Sequence, residues 1–351
     1  MPLAFVVPAP FTAVSGGYAY DRRMVEGLAA RGEAVRVVEL PGRFPVPDAT
    51  AEAAAWQALA ERAEGETMII DGLAIPAFAH VAEAVEGARA IGLIHHPTPL
   101  EKGLSDTEAA LLREKEATLL PRLSHLVATS RTTARQLGEM GLGAERITVV
   151  EPGTEDAPRA DGSRAAGCAI LSVGALVPRK GHDLLLRALG RLSDLAWTLT
   201  IVGSRERDRA HAAGLAALAE ELGIANRVTF AGEVDDAALA ALWQGTDVFA
   251  LATWHEGYGM AVAEALKRGV PLALTAGGAV AELAPTEASV IVPAGDWTSL
   301  SRAMRRLIFD GELRRRMAEH AWEAGRKLPT WEAQAEAFAA AVTAPVAGPR
   351  A

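Results

Sequence analysis

Two glutamates eight residues apart frame the most chemically informative stretch of the chain, Glu256-Gly257-Tyr258-Gly259-Met260-Ala261-Val262-Ala263-Glu264. The segment Asp247–Ala252 before it reads as a buried strand. Gly269 and Pro271 after it are a helix stop. Glu256 therefore falls on the loop at a strand's end, and Glu264 falls in the helix that follows. The start of a helix exposes unpaired N–H groups and the positive end of the helix dipole. Gly257 and Gly259 let a ligand come close to the backbone. This arrangement suits a nucleotide-sugar, with its diphosphate at the helix start and carboxylates bonding hydroxyls on either side. The candidate donor-binding residues here are Glu256, Gly257, Tyr258, Gly259, Met260, Ala261 and Glu264. An ordinary strand–loop–helix with two solvated glutamates fits the same pattern.

A second stretch runs from Ser172-Val173-Gly174 through Pro178-Arg179-Lys180-Gly181. A guanidinium and an ammonium placed after a strand would stabilise the charge that grows on a leaving diphosphate. A metal held by Asp-x-Asp could do the same, but the sequence contains no Asp-x-Asp. The adjacent Asp235 and Asp236 read as a helix cap. The expectation is a site without metal. Gly16 and Gly17 follow the first strand and precede a helix beginning near Tyr20. They could admit a phosphate or sugar, or simply meet a loop's need for positive φ. No Gly-x-Gly-x-x-Gly follows the strand, so a dinucleotide site is poorly supported. His95 and His96 end the fourth strand, and alternation lets only one of them easily face a ligand. A metal there is disfavoured, because no third ligand is apparent nearby.

Taken together, Pro178-Arg179-Lys180-Gly181, Glu256-Gly257-Tyr258-Gly259, Gly16-Gly17 and Ile94-His95-His96-Pro97 resemble the retaining family-four glycosyltransferases (glycosyl transferases group 1) of GT-B fold. The resemblance runs over nearly the whole chain. It implies that Arg179 and Lys180 stabilise the leaving diphosphate, with Gly174 in the donor site. It places Gly16 and Gly17 opposite the donor diphosphate and maps the active-site histidine onto His95. Glu264 would bind ribose hydroxyls and Glu256 those of the transferred sugar. The implied catalytic set is His95, Arg179, Lys180 and Glu256. The implied reaction is transfer of a hexose from a UDP- or GDP-sugar with retention, through a front-face displacement and with no cofactor. The chain departs from the family at Val150-Glu151-Pro152-Gly153-Thr154 and at Trp254-His255. Three alternatives stay open: a GT-B epimerase or phosphorylase, a Rossmann-like oxidoreductase, and a nucleotide-sugar-binding subunit without turnover.

The elements that must position these residues follow from short apolar runs. Candidate strands are Leu3–Val7, Val35–Leu40, Thr67–Ile70, Ala90–His95, His125–Ala128 and Ile147–Val150, then Ala169–Val173, Thr198–Val202, Val228–Ala231, Val248–Ala252, Leu272–Thr275 and Ser289–Val292. Amphipathic stretches such as Tyr20–Arg31, Ala51–Glu64, Glu108–Leu123, Asp183–Leu192 and Met260–Arg268 lie between them. Such alternation argues for an α/β protein with parallel sheets covered by helices on both faces. The expected architecture is two Rossmann-like domains, 1–157 for the acceptor and 166–327 for the donor, with a cleft between them. Residues 155–167 read as a linker. By the resemblance, a helix over 328–343 crosses back to the first domain. The final residues, from Ala344, are expected to be poorly ordered.

Half of the 351 residues are hydrophobic and 23% are charged, a globular balance that suffices for two cores. The net charge of −9 argues against nucleic acid as the main partner. Arg314–Arg316 reads as a solvated helix face. No apolar run approaches the roughly 18 residues of a membrane span, though a peripheral membrane contact stays open. Leu3–Val7 reads as a core strand rather than a signal peptide. The single Cys168 allows no intrachain disulfide, which points to the cytoplasm. The partners expected are a nucleoside-diphosphate sugar and a small-molecule or glycan acceptor. The acceptor would be chosen by loops around Pro10–Tyr20, Gly42–Pro47, Gly72–Pro76 and Pro97–Lys102.

Overall fold

The computed structural model describes residues 2–344; the tail expected to be poorly ordered falls, from residue 345 on, outside them. The chain divides into two compact units. One holds the residues up to Gly153 together with those from Thr330, and the other is Thr154–Pro329.

In the first unit six strands form one parallel sheet: β1 (Leu3–Pro8), β2 (Val35–Leu40), β3 (Thr67–Asp71), β4 (Ala90–Ile94), β5 (His125–Ala128) and β6 (Ile147–Val149). Their order is β2-β1-β3-β4-β5-β6. Alternation along β1 serves two cores. Leu3, Phe5 and Val7 pack with Tyr20, Met24 and Leu28, while Ala4 and Val6 pack with Met68, Ile70 and Phe78. Apolar residues on both faces are what a buried parallel strand requires. The helix Trp331–Thr343 completes the first of these cores through Ala335, Phe338 and Val342. Gly27 permits this, since a Cβ there would collide with Ala335. Arg31 Nη2 also donates to the Glu332 carbonyl at 3.0 Å. Where the resemblance implies a helix over 328–343, the structure has one over Trp331–Thr343, within the first unit.

The second unit repeats the plan with β7 (Cys168–Val173), β8 (Trp197–Val202), β9 (Val228–Gly232), β10 (Val248–Leu251), β11 (Leu272–Thr275) and β12 (Ser289–Val292). All pair parallel, in the order β12-β11-β10-β7-β8-β9. Ile170 faces one core with Leu185 and Leu199, and Leu171 faces the other with Phe249 and Trp243. The segment expected as a linker belongs to this unit and is tied down. Ala160 N–H donates to the Arg268 carbonyl at 2.9 Å, and Ser163 Oγ to Asp247 Oδ2 at 2.6 Å.

In each sheet the strand order reverses once, between β1 and β3 and between β7 and β10. At such a reversal the connections leave to opposite sides and open a crevice at the strands' carboxyl ends. Among the described residues no helix is long and apolar enough to cross a membrane.

Candidate functional site

The reversal in the second sheet brings Arg179 and Lys180, beyond β7, against Glu256, beyond β10. Lys180 Nζ lies 2.7 Å from Glu256 Oε1, and Arg179 Nη1 lies 3.4 Å from the same oxygen. The Thr253 hydroxyl donates to that oxygen at 2.9 Å. Backbone bonds hold the two loops together. Arg179 Nη1 donates to the His255 carbonyl at 2.7 Å, and the Arg179 carbonyl accepts from Trp254 N–H at 2.8 Å. Glu256 is also pinned to the loop after β11. Its N–H donates to the Gly277 carbonyl at 3.1 Å, and its carbonyl accepts from Ala279 N–H at 2.9 Å. Burial alone would raise the Glu256 carboxyl's pKa. The Lys180 and Arg179 charges, with hydrogen bonds from Lys180 and Thr253, outweigh burial and hold it at about 2. Glu256 is an anion at neutral pH, shared by two cations.

Two helices start at this reversal, His182–Gly190 behind Gly181 and Met260–Lys267 behind Gly259. Neither has a side chain capping its first N–H groups. Every other helix of 8 residues or more among those described carries one, from Ser15, Asp48, Ser105, Ser130, Asp208, Asp235, Asp296, Asp310 or Thr330. Gly259 enters its helix with φ +104°, a conformation that denies the usual extended capping geometry to any side chain. In each helix the third amide is taken, Leu184 N–H by the Gly181 carbonyl at 3.0 Å and Val262 N–H by the Gly259 carbonyl at 2.8 Å. The two amides before it meet no capping side chain and suit a ligand's anionic oxygens.

The reversal in the first sheet gathers a different set. His95, just past β4, has Nε2 3.0 Å from Asp21 Oδ1 and 3.4 Å from Asp71 Oδ2. Asp71 ends β3, and Asp21 lies in the helix Gly16–Ala30 that follows β1. The Tyr20 ring meets the imidazole edge-on at 5.4 Å between centroids. One ligand atom from each of Asp21, Asp71 and His95 lies within 4.8 Å of the others. The Nε2–Oδ1 contact, at 3.0 Å, is a hydrogen bond. A cation would have to displace the proton that makes it. His96 takes no part and pairs with Glu101 at 3.2 Å.

Several expectations change. Gly16 and Gly17 are not in the loop. Ser15 caps the helix, accepting from Tyr18 N–H, so both glycines sit in its first turn. Gly17 lies over the His95 ring, where a Cβ would stand 3.5 Å from Nε2. Gly174 lies against Lys180, at 3.1 Å from a Cβ to Cδ and Cε. Glu264 stays apart from the ion-pair cluster: among the described residues no hydrogen bond or salt bridge joins its carboxylate to Arg179, Lys180 or Glu256. Burial raises its pKa, opposed by the Arg268 charge and the Trp243 indole. Asp235 does cap its helix, accepting from Ala238 N–H at 2.8 Å. The sequence reading found no third polar ligand beside the histidines, whereas the structure supplies Asp21 and Asp71. It also passed over Thr253 and Gly277, which hold Glu256. The run Thr275-Ala276-Gly277-Gly278 at the end of a predicted strand was the available signal for the second.

Residues 156–323 match the family model described as glycosyl transferases group 1. Among curated proteins, the lipopolysaccharide core biosynthesis glycosyltransferase LpsE of Rhizobium meliloti is 32% identical over 185 residues, which is 52% of this chain and 49% of that protein. The D-inositol 3-phosphate glycosyltransferase of Acidothermus cellulolyticus is 31% identical over 228 residues, 59% of this chain and 51% of that protein. The chain thus spans about half the length of the curated relatives it matches. Among solved structures, the sucrose-phosphate synthase of Thermosynechococcus elongatus superposes with TM-score 0.81 at 19% identity, covering 96% of this chain and 97% of that one. Anabaena HepE, solved in complex with UDP and glucose, gives TM-score 0.75 at 17% identity, covering 98% of this chain and 100% of that one. These likenesses establish the fold as GT-B. The part of the chain that matches the glycosyl transferases group 1, residues 156–323, contains both the Arg179–Lys180 and the Glu256 loops.

Proposed function

We propose that this protein is a retaining, metal-independent glycosyltransferase that moves a hexose from a nucleoside-diphosphate sugar to an acceptor hydroxyl. One observation carries the reading. Two paired cations, Arg179 and Lys180, stand beside the two helices that, among the described ones of 8 residues or more, have no side chain capping their N-termini. A diphosphate is the ligand that would use both features, since its oxygens need cations and N–H donors together. HepE, of the same fold, binds UDP and UDP-glucose.

On this reading Lys180 and Arg179 take the growing charge of the leaving diphosphate, and the amides of Met260 and Ala261 take its oxygens. Glu256 turns to the hydroxyls of the transferred sugar, and Glu264 binds the ribose. His95, in the first unit, donates a hydrogen bond to the acceptor. With cations and amides in these places, and no Asp-x-Asp in the sequence, the chemistry needs no divalent metal.

The test is release and transfer of radiolabelled sugar from a panel of UDP- and GDP-hexoses, with candidate acceptors, in excess chelator. Turnover of at least one donor is expected, and Lys180→Ala should lower it roughly 100-fold or more, the loss typical of one charge-stabilising donor. Near-normal rates in that variant would overturn the site. Activity that vanishes in chelator and returns with magnesium or manganese would overturn the metal-free mechanism.

A further inference from the structure

The first sheet's reversal holds a polar cluster that needs its own account. Asp21 is 1% exposed and Asp71 2%, and both aim an oxygen at one imidazole nitrogen. Burying two carboxylates is costly unless each finds a cation or a proton. Asp71 Oδ1 has a partner in Leu73 N–H, at 2.8 Å. The second oxygen of Asp21 has no hydrogen-bond partner. Burial, with Asp71 beside it, pushes the Asp21 carboxyl up to about 7, against the pull of the His95 charge and hydrogen bond.

The groups facing the imidazole are few. Asp21 and the Tyr20 ring come from the helix, and Asp71 comes from β3. After β5, the hydroxyls of Thr129 and Thr133 donate to the His95 carbonyl at 3.2 and 3.1 Å and fix its backbone. Both carboxylate contacts are made by Nε2, which leaves Nδ1 as the nitrogen that can meet a ligand.

We propose that Asp21 and Asp71 are positioning residues for His95, two buried carboxylates that bracket Nε2 and fix the imidazole as a donor that offers Nδ1–H to a substrate hydroxyl. The identity of that hydroxyl rests on the glycosyltransferase reading; the bracketed imidazole does not. Burial by itself would lower the imidazole's pKa, but the charges and hydrogen bonds of Asp21 and Asp71 lift it to about 10. A cation held this way accepts no proton at neutral pH. In this role His95 donates rather than accepts, and the acceptor's proton leaves by another group.

Histidine-labelled full-length protein, with His95 assigned from His95→Gln, tests this by NMR titration from about pH 5.5 to about 9, a window that spans the ordinary histidine range. The His95 ring should remain cationic throughout. In Asp21→Asn its titration should move down into that window, and Asp21→Glu should restore the cation. The kcat of Asp21→Asn should fall roughly 100-fold, the cost of a misplaced group, with little change in the donor KM. The remaining activity should decline further as pH rises, whereas a merely structural loss would not depend on pH. Asp71→Asn, read the same way, serves if Asp21→Asn does not fold. A His95 that titrates near 6.5 in the unsubstituted protein overturns the proposal. So does zinc retained by the purified protein and lost from Asp21→Asn, since the three side chains would then be a metal site. If the titrations come out as expected while no nucleotide-sugar is turned over, the bracketed imidazole stands and the glycosyltransferase reading falls.

Discussion

The Glu256 carboxylate neutralises Lys180 and Arg179 at contacts of 2.7 and 3.4 Å, so a diphosphate arriving at these cations competes with it. Glu256→Gln removes the competitor's charge and keeps its shape. Calorimetry should then show UDP bound as tightly as before or more tightly. Sugar transfer should nevertheless drop roughly 100-fold, since the groups that meet the transferred sugar are disturbed. Weakening of UDP as severe as in Lys180→Ala would place Glu256 in the nucleotide subsite instead. The same variant has a pH signature. The folded-state pKa, about 2, lies below the ordinary 4.5. The stabilisation from this ion pair is therefore complete above about 4.5 and lost as pH falls through about 2. Acid unfolding of Glu256→Gln should be flatter across that window than that of the unsubstituted protein.

Elements place these residues, and the helix starting at Met260 is the most exacting of them. Gly259 must hold φ +104°, so Gly259→Ala strains the loop between Glu256 and the helix. A loss of roughly 1 kcal/mol or more in chemical denaturation is expected, with UDP affinity falling as the first-turn amides shift. Unchanged UDP affinity would mean those amides do not meet the diphosphate. The strands and this helix were legible because short apolar runs bounded by Gly and Pro report them directly. The Glu256 and Lys180 loops were legible for a related reason: each follows its strand by a few residues. The helix Arg131–Glu139 was not read, because Leu137 is its one large apolar side chain and only its Ser130 cap announces it. The first helix was read as starting four residues late, because two glycines at its start look like loop. Asp21 and Asp71 were invisible for a deeper reason. They lie 50 residues apart in the sequence, and only the pairing of β1 with β3 and of β3 with β4 brings them to His95.

At the scale of the whole chain, the two units differ in how they are closed. The second is one continuous segment, Thr154–Pro329, whose core uses only its own residues. The first is interrupted by it, and the core under β1 remains open until the chain returns as Trp331–Thr343. Phe338 is fully buried there, among Leu3, Phe5, Val7 and Tyr20, with ring centroids 6.4 Å from Phe5 and 6.3 Å from Tyr20. Tyr20 precedes Asp21 and stands edge-on to His95, so this closing helix supports the wall of the histidine cluster. Phe338→Ala should cost the first unit about 3–5 kcal/mol, the range for emptying a buried aromatic site. Native-state hydrogen exchange resolves where the loss falls. Amides of β1 and β3 should lose protection, while those of β7 and β8 keep theirs. UDP binding, assigned to the second unit, should be spared as long as the protein is folded, while transfer should fall because the His95 side has loosened. Equal loss of protection in both sheets would show that the returning helix stabilises the molecule as one cooperative unit, and the separation of roles drawn from Phe338 would fail.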